Sequence, residues 1–249
     1  MSQAHAGAWV KLKHQGYWAL TSNYYQTSDF YDDRGDKQSQ DRFHKFEENL
    51  YLEWGLTDNI TLGSNLFGNY VSQSGKGNLG LSNSEFFLRQ KLYDDEKSVL
   101  SIQPLAKLAS LYRFENPRGG SSSYDGEIAL QYGRSLHLLS ARDYLDSAAA
   151  FRLRSDGLAQ QWRLEAKLGL GVTDNIRFIP AIYTTRSINA ERSNQFTESG
   201  DLDYSLTKLE IGLSYALSNT QLNLAVFRHI EGEQTGSGQG ISAGFGVPF

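Results

Sequence analysis

The residues of this chain with most capacity for chemistry are charged side chains of both signs that recur, stretch by stretch, on one alternating face of the chain. Glu85 and Arg89 lie on it, as do Asp125 and Glu127, Arg152 and Arg154, Arg163, Glu165 and Lys167, and Lys208 and Glu210; Lys91, Lys107, Asp146 and Arg177 extend the set. Spaced by two, such groups line one face of an extended strand. Confined together, they could neutralise one another as interior ion networks, or leave donors and acceptors for an anionic or hydroxyl-rich solute. Simple hairpin pairing across residues 155–159 puts Arg152 opposite Arg163, with Glu165 one step along; pairing across 136–141 puts Asp125 opposite Arg152. Asp125, Arg152, Arg163 and Glu165 are therefore expected to form one network.

Other chemistry is thinly represented. The five histidines, His5, His14, His44, His137 and His229, show no metal-ligand spacing, and there is no cysteine, so neither metal nor cofactor is expected. Ser22, His44 and Glu48 share the opposite parity on adjacent strands, a candidate nucleophile, base and orienter for an enzyme acting on lipid or lipopolysaccharide. Gly75-Lys76-Gly77-Asn78-Leu79-Gly80 matches a dinucleotide fingerprint in letters, but a strand follows it and not a helix. Arg34-Gly35-Asp36 reads as a solvated turn, and the sequon Asn59-Ile60-Thr61 as a coincidence. A net charge of -4 with both signs mixed argues against nucleic acid as a partner.

The elements that must position the charges are long strands. In residues 160–172, Trp162, Leu164, Ala166, Leu168, Leu170 and Val172 occupy one parity, and Arg163, Glu165, Lys167, Gly169 and Gly171 the other. A globular strand averages about 5–6 residues, whereas an oblique bilayer crossing needs roughly 9–11. The same alternation gives about twelve strands: 16–25, 43–56, 60–71, 80–92, 98–110, 124–135, 142–154, 160–172, 176–186, 203–217, 220–230 and 240–249. The expected fold is all-β, a closed antiparallel up-and-down transmembrane barrel over 16–249, with 1–15 as a periplasmic segment. Mean hydropathy of -0.48 does not oppose this, because half of each barrel strand is polar.

Connections support the same topology. Every second one is tight: 57–59, 93–97, 136–141, 173–175 and 218–219. Those between are mostly long and polar: 26–42, 72–79, 111–123, 187–202 and 231–239, with 155–159 the short exception. Such sorting fits periplasmic turns and extracellular loops. Two girdles are expected at the bilayer interfaces: Trp18, Trp54, Tyr132, Phe178 and Tyr215 by the turns, Tyr24, Tyr70 and Trp162 by the loops. Pro104 and Pro180 fall within strands, and a bulge is expected at each. Ala4-His5-Ala6 has the small-x-small form of a signal-peptidase site, followed by Gly7 but preceded by no apolar run in this chain.

The chain ends on an alternating strand finishing at Phe249, which resembles the terminal strand recognised by the machinery that assembles outer-membrane barrels. As a whole it resembles Gram-negative outer-membrane β-barrels. More narrowly, Glu48–Asp58, Leu62–Phe67, Ala8-Trp9 and Tyr204–Leu209 are similar to the XagA-type outer-membrane family. That resemblance implies a part in surface polysaccharide production and attachment, and carries no reaction or site residue with it. The expected role is a narrow polar pore or guide for a small or polymeric polar solute, most simply a surface glycan. The expected partners are lipid, lipopolysaccharide and the assembly machinery. A rim enzyme and a non-conducting adhesion or scaffold barrel are the alternatives.

Overall fold

Alternation over this many residues leaves each strand with an apolar side that no interior could hold, and the chain resolves this by closing a single sheet on itself. The computed structural model describes residues 7–112, 117, 119–188 and 203–249. Its strands are β1 (Gly16–Tyr31), β2 (Lys37–Thr57), β3 (Ile60–Gln73), β4 (Lys76–Leu81), β5 (Glu85–Asp94), β6 (Ser98–Lys107), β7 (Leu111–Tyr112), β8 (Asp125–Leu136), β9 (Asp143–Arg154), β10 (Gln160–Gly171), β11 (Ile176–Ile188), β12 (Ser205–Leu217), β13 (Thr220–Glu233), β14 (Thr235–Gly236) and β15 (Gln239–Pro248). All pairings are antiparallel, and β15 pairs with both β13 and β1, so the wall has no open seam. Pairing of β3 with both β4 and β5 makes those two a single stave interrupted at 82–84, and β6 with β7 makes another. The result is a closed twelve-stranded barrel.

Side chains sort as a bilayer requires. Leu164, Leu209, Ile211, Leu213, Leu224 and Val226 stand exposed on the outer wall, while Glu53, Arg89, Asp125, Asp146 and Arg152 are buried inside. This inversion of the globular pattern is stable only if the outer wall meets hydrocarbon.

Several details depart from the sequence reading. Residues 26–42 and 72–79, expected as loops, are mostly hairpin: β1 runs on to Tyr31, β2 starts at Lys37, and β3 and β4 turn at Ser74-Gly75. Backbone groups pair there although both faces are polar, because ladder bonds do not depend on burial of side chains. The Asp32 carboxylate accepts the backbone N–H groups of Arg34 and Asp36 at 2.9 Å each and closes the first turn. Similarly, β13 extends to Glu233, within the expected 231–239 loop. The expected strands 80–92 and 98–110 are each broken near the same level, at 82–84 and 108–110.

Neither proline makes a bulge. The register across Pro104 and Pro180 is unshifted; the ladder skips Leu88/Pro104 with Arg89/Gln103, and Leu168/Pro180 with Gly169/Ile179, and resumes in phase. A single absent donor costs one bond and need not insert a residue. The irregularities fall instead at Thr27/Asp29, Gly55/Thr57, Lys91/Tyr93 and Thr207/Lys208.

The start of the chain also differs from expectation. Residues 7–13, expected as part of a periplasmic segment over 1–15, cross inside its short-turn mouth: Ala8 is fully buried, and Lys11 almost so. The signal-site residues Ala4-His5-Ala6 lie outside the described residues.

Candidate solute-binding lumen

The interior holds open space at the long-hairpin end. A cavity of about 1350 Å³ opens there, and a second of about 230 Å³ lies deeper. All eleven charged residues expected in the lumen line one or other of these or a neighbouring recess of the same wall. Strand parity explains their common direction, since each strand contributes every second side chain inward.

The ion network is centred on Arg152 of β9. Its Nε donates to Glu127 Oε2 at 2.7 Å, its Nη2 donates to Glu85 Oε1 at 2.9 Å, and its Nη1 lies 3.9 Å from Asp125 Oδ2. Arg163 of β10 donates to the same Glu127 oxygen at 2.7 Å. Asp125 also holds Lys107 and accepts the Ser123 hydroxyl at 2.8 Å. Two residues further along β9, Arg154 pairs with Asp203 at 3.1 Å.

The expected registers differ from the observed ones by two residues. Arg152 faces Gln161, not Arg163, and Asp125 faces Arg154, not Arg152. The four-residue turn 155–158, with Asp156 and Gly157 left-handed, sets the first. Because the error is even, every side chain keeps its face, and long guanidinium arms still bring Asp125, Arg152 and Arg163 together. Glu165 is set apart: its cation is Lys167, at 3.5 Å.

Other charges form separate groups. Arg89 donates to Glu53 Oε1 at 2.6 Å and to Gln103 at 3.1 Å, deep in the wall. Lys208 pairs with Glu210 at 2.9 Å and stands 4.0 Å from the Tyr183 ring centre. Glu53, Lys45, Glu47 and Tyr183 were not singled out by sequence reading, although alternation along β2 and β11 marks all four as inward. Lys11 carried no such signal, because it lies on no strand.

The candidate triad is not assembled. The Ser22 hydroxyl donates directly to Glu48 at 2.7 Å, while His44 Nδ1 is engaged by the Tyr24 hydroxyl at 2.7 Å. His44 lies four residues along β2 from Glu48, roughly 13 Å at strand rise, so no relay connects base and nucleophile. The aromatic residues expected as girdles all stand on the outer wall. Trp54 stacks on Phe249 at 5.7 Å and Trp18 packs edge-on against Phe245 at 5.3 Å near the short turns; Tyr24, Tyr70 and Trp162 are exposed towards the hairpin end. Gly16 and Phe249 exchange backbone hydrogen bonds, which ties the last residue to the first strand.

An apolar outer belt, aromatic ends and a charged, cavity-bearing interior define a transmembrane β-barrel. Comparison with known proteins agrees at the level of fold. No family model matches the chain, no curated protein matches it, and the XagA-type resemblance is not confirmed. Among solved structures, an outer-membrane channel of the COG4313 group from Pseudomonas putida F1 superposes with a TM-score of 0.77 at 15% identity, over 99% of this chain and 100% of that one. The KdgM porin in complex with disordered oligogalacturonate gives 0.54 at 12% identity, over 93% and 99%. The NanC porin gives 0.57 at 8% identity, over 92% and 98%.

Proposed function

We propose that this barrel is an outer-membrane channel that admits an anionic, hydroxyl-rich solute, such as an oligomer of surface polysaccharide, through its long-hairpin end. The observation that carries the reading is the charge of the large cavity. Lys45, Lys76, Lys107, Arg152, Arg154, Arg163 and Lys208 line it against Glu47, Glu85 and Asp125, a balance of seven to three in a chain of net charge -4. A low-dielectric wall focuses such a field and raises the local concentration of anions. Tyr183, Tyr204, Phe30 and Phe43 share the lining and offer flat surfaces to sugar rings. A porin of similar fold has been solved with oligogalacturonate, an acidic glycan.

In this reading the hairpins are extracellular and both termini periplasmic, the outer wall contacts lipid and lipopolysaccharide, and Phe249 is the determinant read by the assembly machinery. Planar-bilayer recording tests it. Acidic oligosaccharides added on the hairpin side should interrupt the current, and neutral ones of equal length should do so more weakly. Equal block by both refutes the electrostatic selection.

One observation favours a second reading, a non-conducting scaffold: residues 7–13 occupy the short-turn mouth. A barrel with no measurable conductance, before or after removal of that segment, would establish it over the channel.

A further inference from the structure

Inside the short-turn mouth, residues 8–14 are bound to the wall through several backbone groups. The Ala8 carbonyl accepts the Ser101 hydroxyl at 2.5 Å, and the Trp9 carbonyl accepts Arg89 Nη1 at 3.2 Å. The Lys11 N–H donates to Thr61 Oγ1 at 2.7 Å, the Lys13 N–H to Asp58 at 3.0 Å, and the His14 N–H to the Gly55 carbonyl at 3.0 Å. The segment thus spans the lumen from β2 and β3 to β9, where it meets Asp146.

Asp146 is the anomaly. It is 2% exposed, and no cation stands within 4.0 Å of it among the described residues, unlike Glu53, Asp125 or Glu127. Its Oδ1 accepts the Ala8 N–H at 3.3 Å, but its Oδ2 is buried with no hydrogen-bond partner among the described residues. Gly7 lies directly against this carboxyl: a Cβ at Gly7 would collide with Asp146 Oδ2, and the residue has φ +135, so only glycine fits. A carboxylate this enclosed is costly unless a positive group answers it.

The sequence around Gly7 offers a way for a positive group to arise there. Ala4-His5-Ala6 satisfies the small-x-small rule of signal peptidase with Gly7 at the first position after the cut. We propose that the Ala6–Gly7 bond is the processing site, and that the α-ammonium so created at Gly7 pairs with Asp146 and latches residues 7–13 across the short-turn mouth. The step is a hydrolysis: water gives its hydroxyl to the Ala6 carbonyl and a proton to the Gly7 nitrogen, which takes a further proton from solvent. One amide N–H becomes an ammonium with three donors, held against the carboxylate oxygen that lacks one. This does not rest on the solute proposed above, because it concerns only the opposite end of the lumen.

The test uses the full chain placed behind a charged and apolar export leader that has no cleavage site of its own. Protein from outer membranes is read by intact mass and N-terminal sequencing, and its α-amine by acylation at neutral pH, in folded and denatured states. Gly7 should be the first residue, and its amine should acylate at least about tenfold more slowly when folded, the equivalent of one pKa unit of protection. Asp146→Asn should remove that protection in a barrel that still shows the mobility of the folded form. Ala6→Arg, which blocks the cut without touching the latch, should leave no reactive α-amine at Gly7. A different first residue overturns the proposal, and so does a Gly7 amine equally reactive in the folded, denatured and Asp146→Asn proteins. Should the variant fail to fold, the folded-to-denatured ratio of the unsubstituted protein still decides.

Discussion

Arg152→Ala is the most informative perturbation of the lumen, because the guanidinium touches three carboxylates that differ in their other partners. Glu127 retains Arg163 at 2.7 Å, and Asp125 retains Lys107. Glu85 has no other ion-pair partner among the described residues, and its side chain is 16% exposed. Only one of the three is therefore stranded. Stranding one dry carboxylate costs roughly 3–5 kcal/mol, and partial exposure brings this towards the roughly 1–3 kcal/mol of an unsatisfied polar acceptor. Glu85 lines both cavities, so water entering them would shrink the stability loss and shift the effect to permeation. The lining of the large cavity would fall from seven cations against three anions to six against three. Urea unfolding in liposomes measures the first term, and reversal potential under a salt gradient the second. Lower anion preference, a lower unfolding midpoint, or both are expected. A variant with unchanged midpoint and unchanged reversal potential would refute the reasoning and reduce the network to incidental lining.

Three further outcomes are expected. Leu164, 52% exposed on the outer wall, should tolerate Ala, whereas Leu164→Arg should cost roughly 2–4 kcal/mol if it sits at mid-bilayer; equal urea midpoints in liposomes would remove it from the hydrocarbon. Protease added to intact cells should cut the Asp32–Asp36 turn and spare Asp58-Asn59, and the reverse pattern would invert the orientation. The Asp32 carboxyl is held below the ordinary carboxylate range first by the Gln38 side chain, then by the backbone N–H groups of Arg34 and Asp36. Its contribution to the turn is present above the unfolded value near pH 4 and is lost as pH falls through the lowered value. A carboxyl NMR titration midpoint at or above that of a model peptide would contradict this.

Period-2 patterning alone determined the class of this protein. Trp162-Arg163-Leu164-Glu165-Ala166-Lys167 can be only a strand with one apolar and one charged face, and twelve such staves sort by parity into wall and lumen. Parity also explains why Arg152, Arg163, Asp125 and Glu127 were recognisable as inward before their neighbours were known. What tertiary structure decided is pairing in three dimensions. A two-residue change of register leaves every face intact, so no pattern could tell that Arg152 meets Glu127 and Glu85 while Glu165 turns to Lys167. Nor could it show that Ser22 takes Glu48 for itself and leaves His44 to Tyr24. The placement of residues 7–13 was least legible of all. A segment without regular structure has no periodicity to read, and its position follows from contacts with side chains up to 138 residues away.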